Sequence, residues 1–214
     1  MDPIEQTLTA SLAQAHVCTV PFRHLLLDHC LPLAVVRAIA QLPFAVPQDL
    51  QFAGRREVNN SRRIYFNPAN RAQHPVCEAV ASMFDRASVR AALAETAQCD
   101  LRNSLLRIEY CQDTDGFWLE PHTDIAVKKF TMLIYLSDDP NLTDAGTDLY
   151  HGAPDFRHAG TAPYRMNAGL IFVPGANTWH GVEPRPIRGV RKSIIINYVS
   201  RDWRERWELS ARGA

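Results

Sequence analysis

The order of hydrophobic and polar residues divides the chain into a helical first part and a strand-rich second part. A helix is predicted over Leu33–Leu42, where apolar residues recur with a helical period between two prolines. The Ala-rich stretch Pro75–Ala97 predicts a longer helix or two consecutive helices. Between these segments, Asn67-Pro68 is interpreted as a plain turn.

After Cys99, short β-branched and aromatic runs alternate with turn residues, which is typical of antiparallel strands. The predicted strands are Leu105–Cys111, Phe130–Leu136, Thr147–Tyr150, Leu170–Val173 and Ser193–Val199, with an earlier one at Arg63–Phe66. Helices followed by strands disfavour a doubly wound parallel sheet and favour a sandwich or jelly roll. The tail Asp202–Ser210 carries two tryptophans four residues apart, and we expect a closing helix there.

Composition adds the expected domain organisation. The 214 residues include 23 basic and 23 acidic side chains, so neither nucleic acid nor an anionic membrane is an expected partner. There are no repeats or Gly/Ser linkers. We therefore expect one domain over residues 1–214, with a helical portion at 1–100, a β core at 101–200 and a tail at 201–214. The oligomeric state is left open.

The sequence also favours a cytoplasmic location. No run of about 18 apolar residues predicts a membrane span, and the first residues do not resemble a secretory signal. The five cysteines are scattered and none forms a CxxC pair, which favours reduced thiols over a disulfide framework.

One group of residues suggests a metal site. In His122-Thr123-Asp124, an extended backbone places the two outer side chains on the same face. His180 follows after 55 intervening residues, beside another predicted strand. Two imidazoles and one carboxylate on one side of iron(II) leave positions open for oxygen chemistry.

A second pair lies further along the chain. Arg191 and Ser193 share one face of the last predicted strand. Burying a guanidinium and a hydroxyl inside a barrel is costly unless they meet an anion. A dicarboxylate co-substrate is a natural partner, because the arginine fork matches a carboxylate.

Taken in order and spacing, these segments resemble the 2-oxoglutarate and iron(II)-dependent oxygenases, in their prolyl-hydroxylase-like branch. The matching pieces are Tyr110, His122-Thr123-Asp124, Phe130–Ser137, Ala145–Leu149, Leu170–Pro174, His180 and Gly189–Ser193. They span roughly Leu105 to Val199, about half of the chain.

This resemblance implies a mainly β fold with flanking helices around a double-stranded β-helix, or cupin-like jelly-roll, core. It implies that iron(II) is held by His122, Asp124 and His180. It further implies that Arg191 holds the distal carboxylate of 2-oxoglutarate with help from Tyr135. In the same way, Tyr110 and Ser193 are expected to line that pocket.

The implied activity is that of a dioxygenase that hydroxylates an unactivated C–H bond and releases succinate and CO2 from 2-oxoglutarate and O2. A small-molecule substrate is expected, because no second domain or long groove-forming insertion is evident. Two alternatives stay open, namely a non-oxidative metal-dependent cupin-type enzyme and a hydroxylase of a peptide or protein side chain.

Several residues compete for these roles. His151 and His158 are alternative metal ligands, and Tyr135 is open to a purely structural role in the core. Arg185 and Arg188 are alternatives to Arg191 but stand among prolines in a predicted loop. The arginines around Asn59-Asn60 are either a solvated loop or part of a lid over an anionic substrate. These arginines are Arg55, Arg56, Arg62 and Arg63.

Overall fold

The computed structural model describes residues 2–48, 52–55 and 63–211. The helices of this part of the chain are α1 (Pro3–Ala13), α2 (Leu33–Ala40), α3 (Pro68–Gln73), α4 (Pro75–Asp85) and α5 (Ala87–Ala97). Its strands are β1 (His16–Cys18), β2 (His24–Leu27), β3 (Ile64–Tyr65), β4 (Leu105–Asp113), β5 (Leu119–His122), β6 (Lys128–Tyr135), β7 (Asp148–Tyr150), β8 (His158–Thr161), β9 (Gly169–Phe172), β10 (His180–Val182) and β11 (Arg191–Val199).

The strands form two antiparallel sheets. The large sheet has seven strands in the order β1-β2-β9-β6-β11-β4-β3, and the small sheet has four in the order β5-β10-β7-β8. The expected mainly β, jelly-roll core with flanking helices is confirmed by this architecture. The space between the two sheets is the interior of the barrel.

Alternation along β11 separates two hydrophobic layers. Ile194, Ile196 and Tyr198 point outward and pack with the helices. On the opposite face of the strand, Arg191 and Ile195 point to the barrel interior, where they line a cavity. A second apolar cluster fills the rest of that interior and joins the large sheet to the small one. The central strand therefore supports the helical layer on one face and the candidate site on the other.

The helical layer confirms two predictions and corrects another. The predicted helix Leu33–Leu42 is observed as α2, and the stretch from Pro75 forms the two helices α4 and α5. The turn predicted at Asn67-Pro68 is wrong, since Asn67 accepts a hydrogen bond from the Asn70 amide at 3.1 Å and caps α3. A proline after such a cap is a normal helix start.

Helix α1 was not predicted, although its sequence carries a signal. Asp2 caps its first turn by accepting from the Ile4 amide at 2.8 Å, and Pro3 occupies the first helical position. Ile4, Leu8 and Leu12 recur at intervals of four and are buried. The longest helices described have 11 residues, and none is long and apolar enough to cross a bilayer.

The predicted closing helix over Asp202–Ser210 is wrong. This segment contains only a single 3-10 turn, Arg206–Glu208, and then runs alongside β4. The Ser210 amide donates to the Leu106 carbonyl at 2.9 Å. The tail is not helical because its backbone pairs with a strand and its glutamate is needed inside the barrel.

That glutamate neutralises a fully buried arginine. Arg107 is 1% exposed, and its Nε donates to Glu208 Oε2 at 2.6 Å. Its terminal nitrogens donate to Asn197 Oδ1 at 3.1 Å, the Tyr65 hydroxyl at 3.0 Å and Glu109 Oε2 at 3.2 Å. Since a buried guanidinium requires paired charge and satisfied donors, this network fixes the tail to the barrel.

Removing the tail carboxylate is therefore expected to destabilise the protein strongly. Glu208→Ala leaves Arg107 without one of its two carboxylate partners, and we expect unfolding free energy to fall by about 3 kcal/mol. Urea denaturation followed by fluorescence measures this change. The matched control is Arg165→Ala, which removes an exposed ion pair to Asp28 and should cost within about 1 kcal/mol. Equal effects of the two substitutions would contradict the role of the tail.

Candidate functional site

Two histidines from different parts of the chain meet at the small sheet. His122 ends β5, His180 begins β10, and the two residues are direct partners in the antiparallel ladder. Their ring centroids are 4.4 Å apart. The pairing of β5 with β10 therefore brings together two imidazoles that are 58 positions apart in the chain.

Both imidazoles are oriented in the same way by the backbone. His122 Nδ1 lies 2.8 Å from the Glu120 carbonyl oxygen, and His180 Nδ1 lies 2.9 Å from the Thr178 carbonyl oxygen. Because a carbonyl only accepts, each Nδ1 must carry the proton and donate it. In the neutral form of such a ring Nε2 carries the lone pair, and a backbone contact of this kind at the other nitrogen is usual for metal-binding histidines.

Asp124 completes the group from the segment before β6. Its Oδ2 accepts from the Thr131 hydroxyl at 2.8 Å, and its Oδ1 accepts from the Lys128 ammonium. Burial by itself would raise the pKa of the Asp124 carboxyl, but the neighbouring Lys128 charge and these hydrogen bonds outweigh it. The pKa therefore lies well below its usual value, and the carboxylate is ionised.

His180 is neutral because burial disfavours its charged form. Burial lowers its pKa to about 4, and the opposing attraction of Asp124 does not restore it. At pH 7 its Nε2 is consequently unprotonated and able to bind a cation.

The donor set of the three residues fits a divalent metal ion. One ligand atom from each of His122, Asp124 and His180 lies within 4.8 Å of the others. Within the described part of the chain, this is the one group of three or more His, Cys, Asp or Glu side chains whose ligand atoms come this close together. Two imidazoles and one carboxylate, with the remaining side open to a cavity, match the facial triad of non-haem iron sites.

The alternative histidines lie elsewhere. His158 Nε2 is 3.2 Å from Asp148 Oδ1 and 3.2 Å from the Thr161 hydroxyl, at the outer edge of the small sheet. His151 follows β7 and belongs to no cluster of three or more ligating residues within the described part of the chain. The structure therefore brings neither of them to the triad.

Arg191 lines the same cavity as the triad, at the start of β11. Its Nη1 donates to Asp113 Oδ2 at 2.7 Å, and its Nε donates to the Ala145 carbonyl at 2.6 Å. The two competing arginines are placed differently, because Arg185 pairs with the buried Asp148 and Arg188 is exposed. Of these three arginines, only Arg191 reaches the cavity.

Ser193 and Tyr135 lie beside Arg191. Ser193 Oγ is buried and has no hydrogen-bond partner among the described residues. The Tyr135 ring centroid is 5.9 Å from the guanidinium carbon, and its hydroxyl exchanges hydrogen bonds with the Thr147 hydroxyl and amide at 3.0 and 3.1 Å. An orphaned buried hydroxyl next to a cation is the observation that fits an anionic ligand at this end of the cavity.

Tyr110 is not brought to the site. It belongs to the helix-facing cluster, and its ring packs against Phe44 with centroids 5.9 Å apart. Arg107 and Glu109 on either side of Ile108 occupy the interior face of β4, so strand alternation turns Tyr110 outward.

Two of the arginines that flank Asn59-Asn60 in the sequence lie at the mouth of the cavity. Arg55 and Arg63 line a cavity of about 270 Å³ beside the triad, and they pair with Glu120 at 2.8 Å and Glu109 at 2.6 Å. Gly54, which precedes Arg55, has φ at +72°, and a Cβ at this position would come within 2.5 Å of the Trp118 indole. Arg56 and Arg62 lie outside the described residues.

Sequence reasoning missed Lys128 and Asp113. Lys128 follows the metal motif by four residues and contacts Asp124, while Asp113 ends β4 directly opposite Arg191. A basic residue close after the His-Thr-Asp segment was a detectable signal. The Asp113 contact depends on the register between β4 and β11, which single-sequence patterns do not fix.

We expect the three triad residues to be needed for iron(II) binding. His122→Ala, Asp124→Ala and His180→Ala each remove one ligand atom and should lower iron affinity by more than about 100-fold, since loss of an outer-shell partner alone costs about 10–100-fold. Anaerobic equilibrium dialysis with iron(II) measures this affinity. His158→Ala is the matched control and should bind iron as the unmodified protein does. An unchanged affinity in any triad variant would remove that residue from the site.

Comparison with known proteins gives the fold independently. No protein-family model and no curated protein sequence matches the chain. Among solved structures, a Pseudomonas putida prolyl-4-hydroxylase is 18% identical with a TM-score of 0.57, and the match covers 94% of this chain and 95% of that one.

Two further structures agree with this result. A prolyl 4-hydroxylase from Phytophthora capsici is 15% identical with a TM-score of 0.62, over 94% of this chain and 67% of that one. A Trichoplax adhaerens prolyl hydroxylase, solved with a hypoxia inducible factor peptide fragment, is 16% identical with a TM-score of 0.57, over 92% and 89%. The chain therefore has the jelly-roll fold found in prolyl hydroxylases.

Proposed function

We propose that the protein is an iron(II)- and 2-oxoglutarate-dependent dioxygenase that hydroxylates an unactivated C–H bond. The observation that carries this proposal is that the metal-ligating triad and Arg191 line one cavity. His122, Asp124 and His180 offer a facial set of metal ligands, and Arg191 offers a cation. Ser193 lies on the same strand face as Arg191 and offers a buried hydroxyl that has no partner among the described residues.

The triad would hold iron(II) in an orientation set by the backbone. Glu120 and Thr178 keep the two imidazoles in the correct tautomer, and Thr131 fixes one oxygen of Asp124. Once bound, iron and 2-oxoglutarate would supply oxygen activation, in which the co-substrate and O2 yield succinate, CO2 and a hydroxylated product. In related halogenases a small residue replaces this carboxylate and leaves room for chloride. The presence of Asp124 therefore favours insertion of oxygen over halogenation.

Arg191 would hold the distal carboxylate of the co-substrate in the cavity that the triad also lines. Salt bridges to a buried guanidinium are strong because little solvent screens them. Ser193 Oγ would donate a second hydrogen bond to the same group. Tyr135 supports Arg191 through its ring rather than through its hydroxyl, which Thr147 occupies.

The remaining walls exclude water from the reacting region. Apolar side chains from both sheets line the cavity between the triad and Arg191; they are Leu119, Leu133, Val182 and Ile195. A dry site strengthens the electrostatic contacts and protects a reactive oxidant from side reactions.

We infer a small-molecule substrate. The mouth cavity of about 270 Å³ is slightly smaller than the range of roughly 300–1,000 Å³ that is typical of small-ligand sites. Arg55, Arg63 and Lys128 line this cavity and would favour a substrate that carries an anionic or strongly accepting group.

A peptide substrate is the second candidate. It is supported by the Trichoplax adhaerens prolyl hydroxylase of the same fold, whose structure contains a peptide fragment. Ile125, which is 59% exposed at the cavity rim, would offer an apolar contact to a longer ligand.

Oxygen-dependent release of succinate tests the reaction type. Protein with iron(II) and 2-oxoglutarate should release succinate in air, and His180→Ala should release none, because it lacks a metal ligand. Adding candidate amino acids or proline-containing peptides should raise the rate and give a product heavier by one oxygen atom, measured by mass spectrometry. A metal-dependent reaction without oxygen consumption would instead support a non-oxidative cupin-type enzyme.

Loss of Arg191 should weaken co-substrate binding. Truncating one partner of a desolvated charge pair costs about 2–5 kcal/mol, so Arg191→Gln should lower 2-oxoglutarate affinity by at least about 30-fold. The exposed Arg188→Gln is the matched control and should change it by less than about fivefold. Anaerobic titration of the visible charge-transfer band measures both, after iron binding is verified. A larger loss in Arg188→Gln would disprove the assignment of the anchor.

A further inference from the structure

The cation at the inner end of the cavity already has an internal carboxylate partner. Asp113 is the last residue of β4 and the direct ladder partner of Arg191. Its Oδ2 accepts from Arg191 Nη1 at 2.7 Å, and the two side chains are 6% and 1% exposed. A buried anion therefore lies beside the place where an anionic ligand is expected.

Asp113 is not needed to orient the guanidinium. The Arg191 Nε donates to the Ala145 carbonyl at 2.6 Å. The rings of Tyr135 and Tyr164 pack on it, with centroids 5.9 and 5.8 Å from Cζ. These contacts hold the plane of the fork from other parts of the barrel.

These contacts show which nitrogen of the Arg191 guanidinium remains available to a ligand. With Nε and Nη1 engaged, Nη2 has no protein acceptor within the part of the chain that is described. The buried, unpartnered Ser193 Oγ belongs to the same strand face, two residues further along. One terminal nitrogen and one hydroxyl remain for an incoming group.

We propose that Asp113 is a specificity-determining residue of the co-substrate pocket, an inference that rests on the proposed function. It restricts the distal group of the 2-oxo acid to Nη2 and Ser193 Oγ, so the fork does not bind that group in bidentate fashion. It also places a like charge next to the distal carboxylate, and like charges repel strongly where solvent screening is poor. The pocket therefore binds 2-oxoglutarate more weakly than the same pocket would if Arg191 had no Asp113 beside it.

The same arrangement predicts tolerance of a neutral distal group. In 2-oxoglutaramate an amide replaces the distal carboxylate. Its carbonyl oxygen accepts from the Nη2 edge, and its NH2 group donates to Asp113. The gain of this hydrogen bond offsets the loss of charge attraction to Arg191. A pocket with arginine alone would discriminate strongly between the two compounds.

Anaerobic calorimetry of the iron(II)-loaded protein with 2-oxoglutarate and 2-oxoglutaramate tests the inference. In the unmodified protein, the two affinities should differ by less than about tenfold. Asp113→Asn keeps a hydrogen-bond acceptor for Nη1 but removes the charge, and it should raise 2-oxoglutarate affinity by about tenfold or more. The amide should gain less. Asp115→Asn is the matched control, because that exposed residue accepts from the Ile187 amide and does not contact Arg191; its affinities should be unchanged.

The outcomes are separable from those of the proposed function. If the unmodified protein binds neither compound, both the function and the inference are wrong. If it binds 2-oxoglutarate but rejects the amide by more than about tenfold, the inference alone is wrong, and this measurement needs no variant. Equal or weaker 2-oxoglutarate binding by folded Asp113→Asn, with folding checked by thermal unfolding, also overturns it.

Discussion

Charged side chains between the two sheets dominate the organisation of this protein, because an unpaired buried charge costs several kcal/mol. Each arginine or lysine in the interior is matched by a carboxylate from another position. Three of these pairs are Arg107 with Glu208, Arg191 with Asp113 and Lys128 with Asp124. Pairing fixes the tail, the register of β4 against β11 and the carboxylate of the metal site, so one requirement shapes three separate regions.

The strand β11 connects these regions along a single face. Arg191 lies at its beginning, close to the expected distal end of a co-substrate, and Asn197 near its end accepts from Arg107. The metal ligands face this strand from the small sheet and from the segment before β6. A rigid central strand with neighbours on both sides holds its polar groups more precisely than a loop would. The opposite face of β11 is covered by helices, which protects that position from distortion.

The sequence predicted what depends on local spacing. His122 and Asp124 could be placed on one face because two residues separate them, and most strands of the core could be located from their composition. Tyr110 could have been recognised as outward-facing, since Leu106 and Ile108 in the same phase are apolar whereas Arg107 and Glu109 are charged. The tail and Asp113 were beyond such reasoning because their partners lie 101 and 78 residues away. Contacts of this range depend on sheet register.

The extended tail also affects how the protein avoids association. Strand β4 has nine residues, but β3 pairs with only two of them, Tyr110 and Glu109. An uncovered strand edge is a template for addition of a foreign strand and a common origin of aggregation. The bridge from Leu209 to Arg107 and the Ser210–Leu106 hydrogen bond cover the next part of that edge. Removal of the tail would therefore leave this part of the β4 edge open to pairing with a foreign strand.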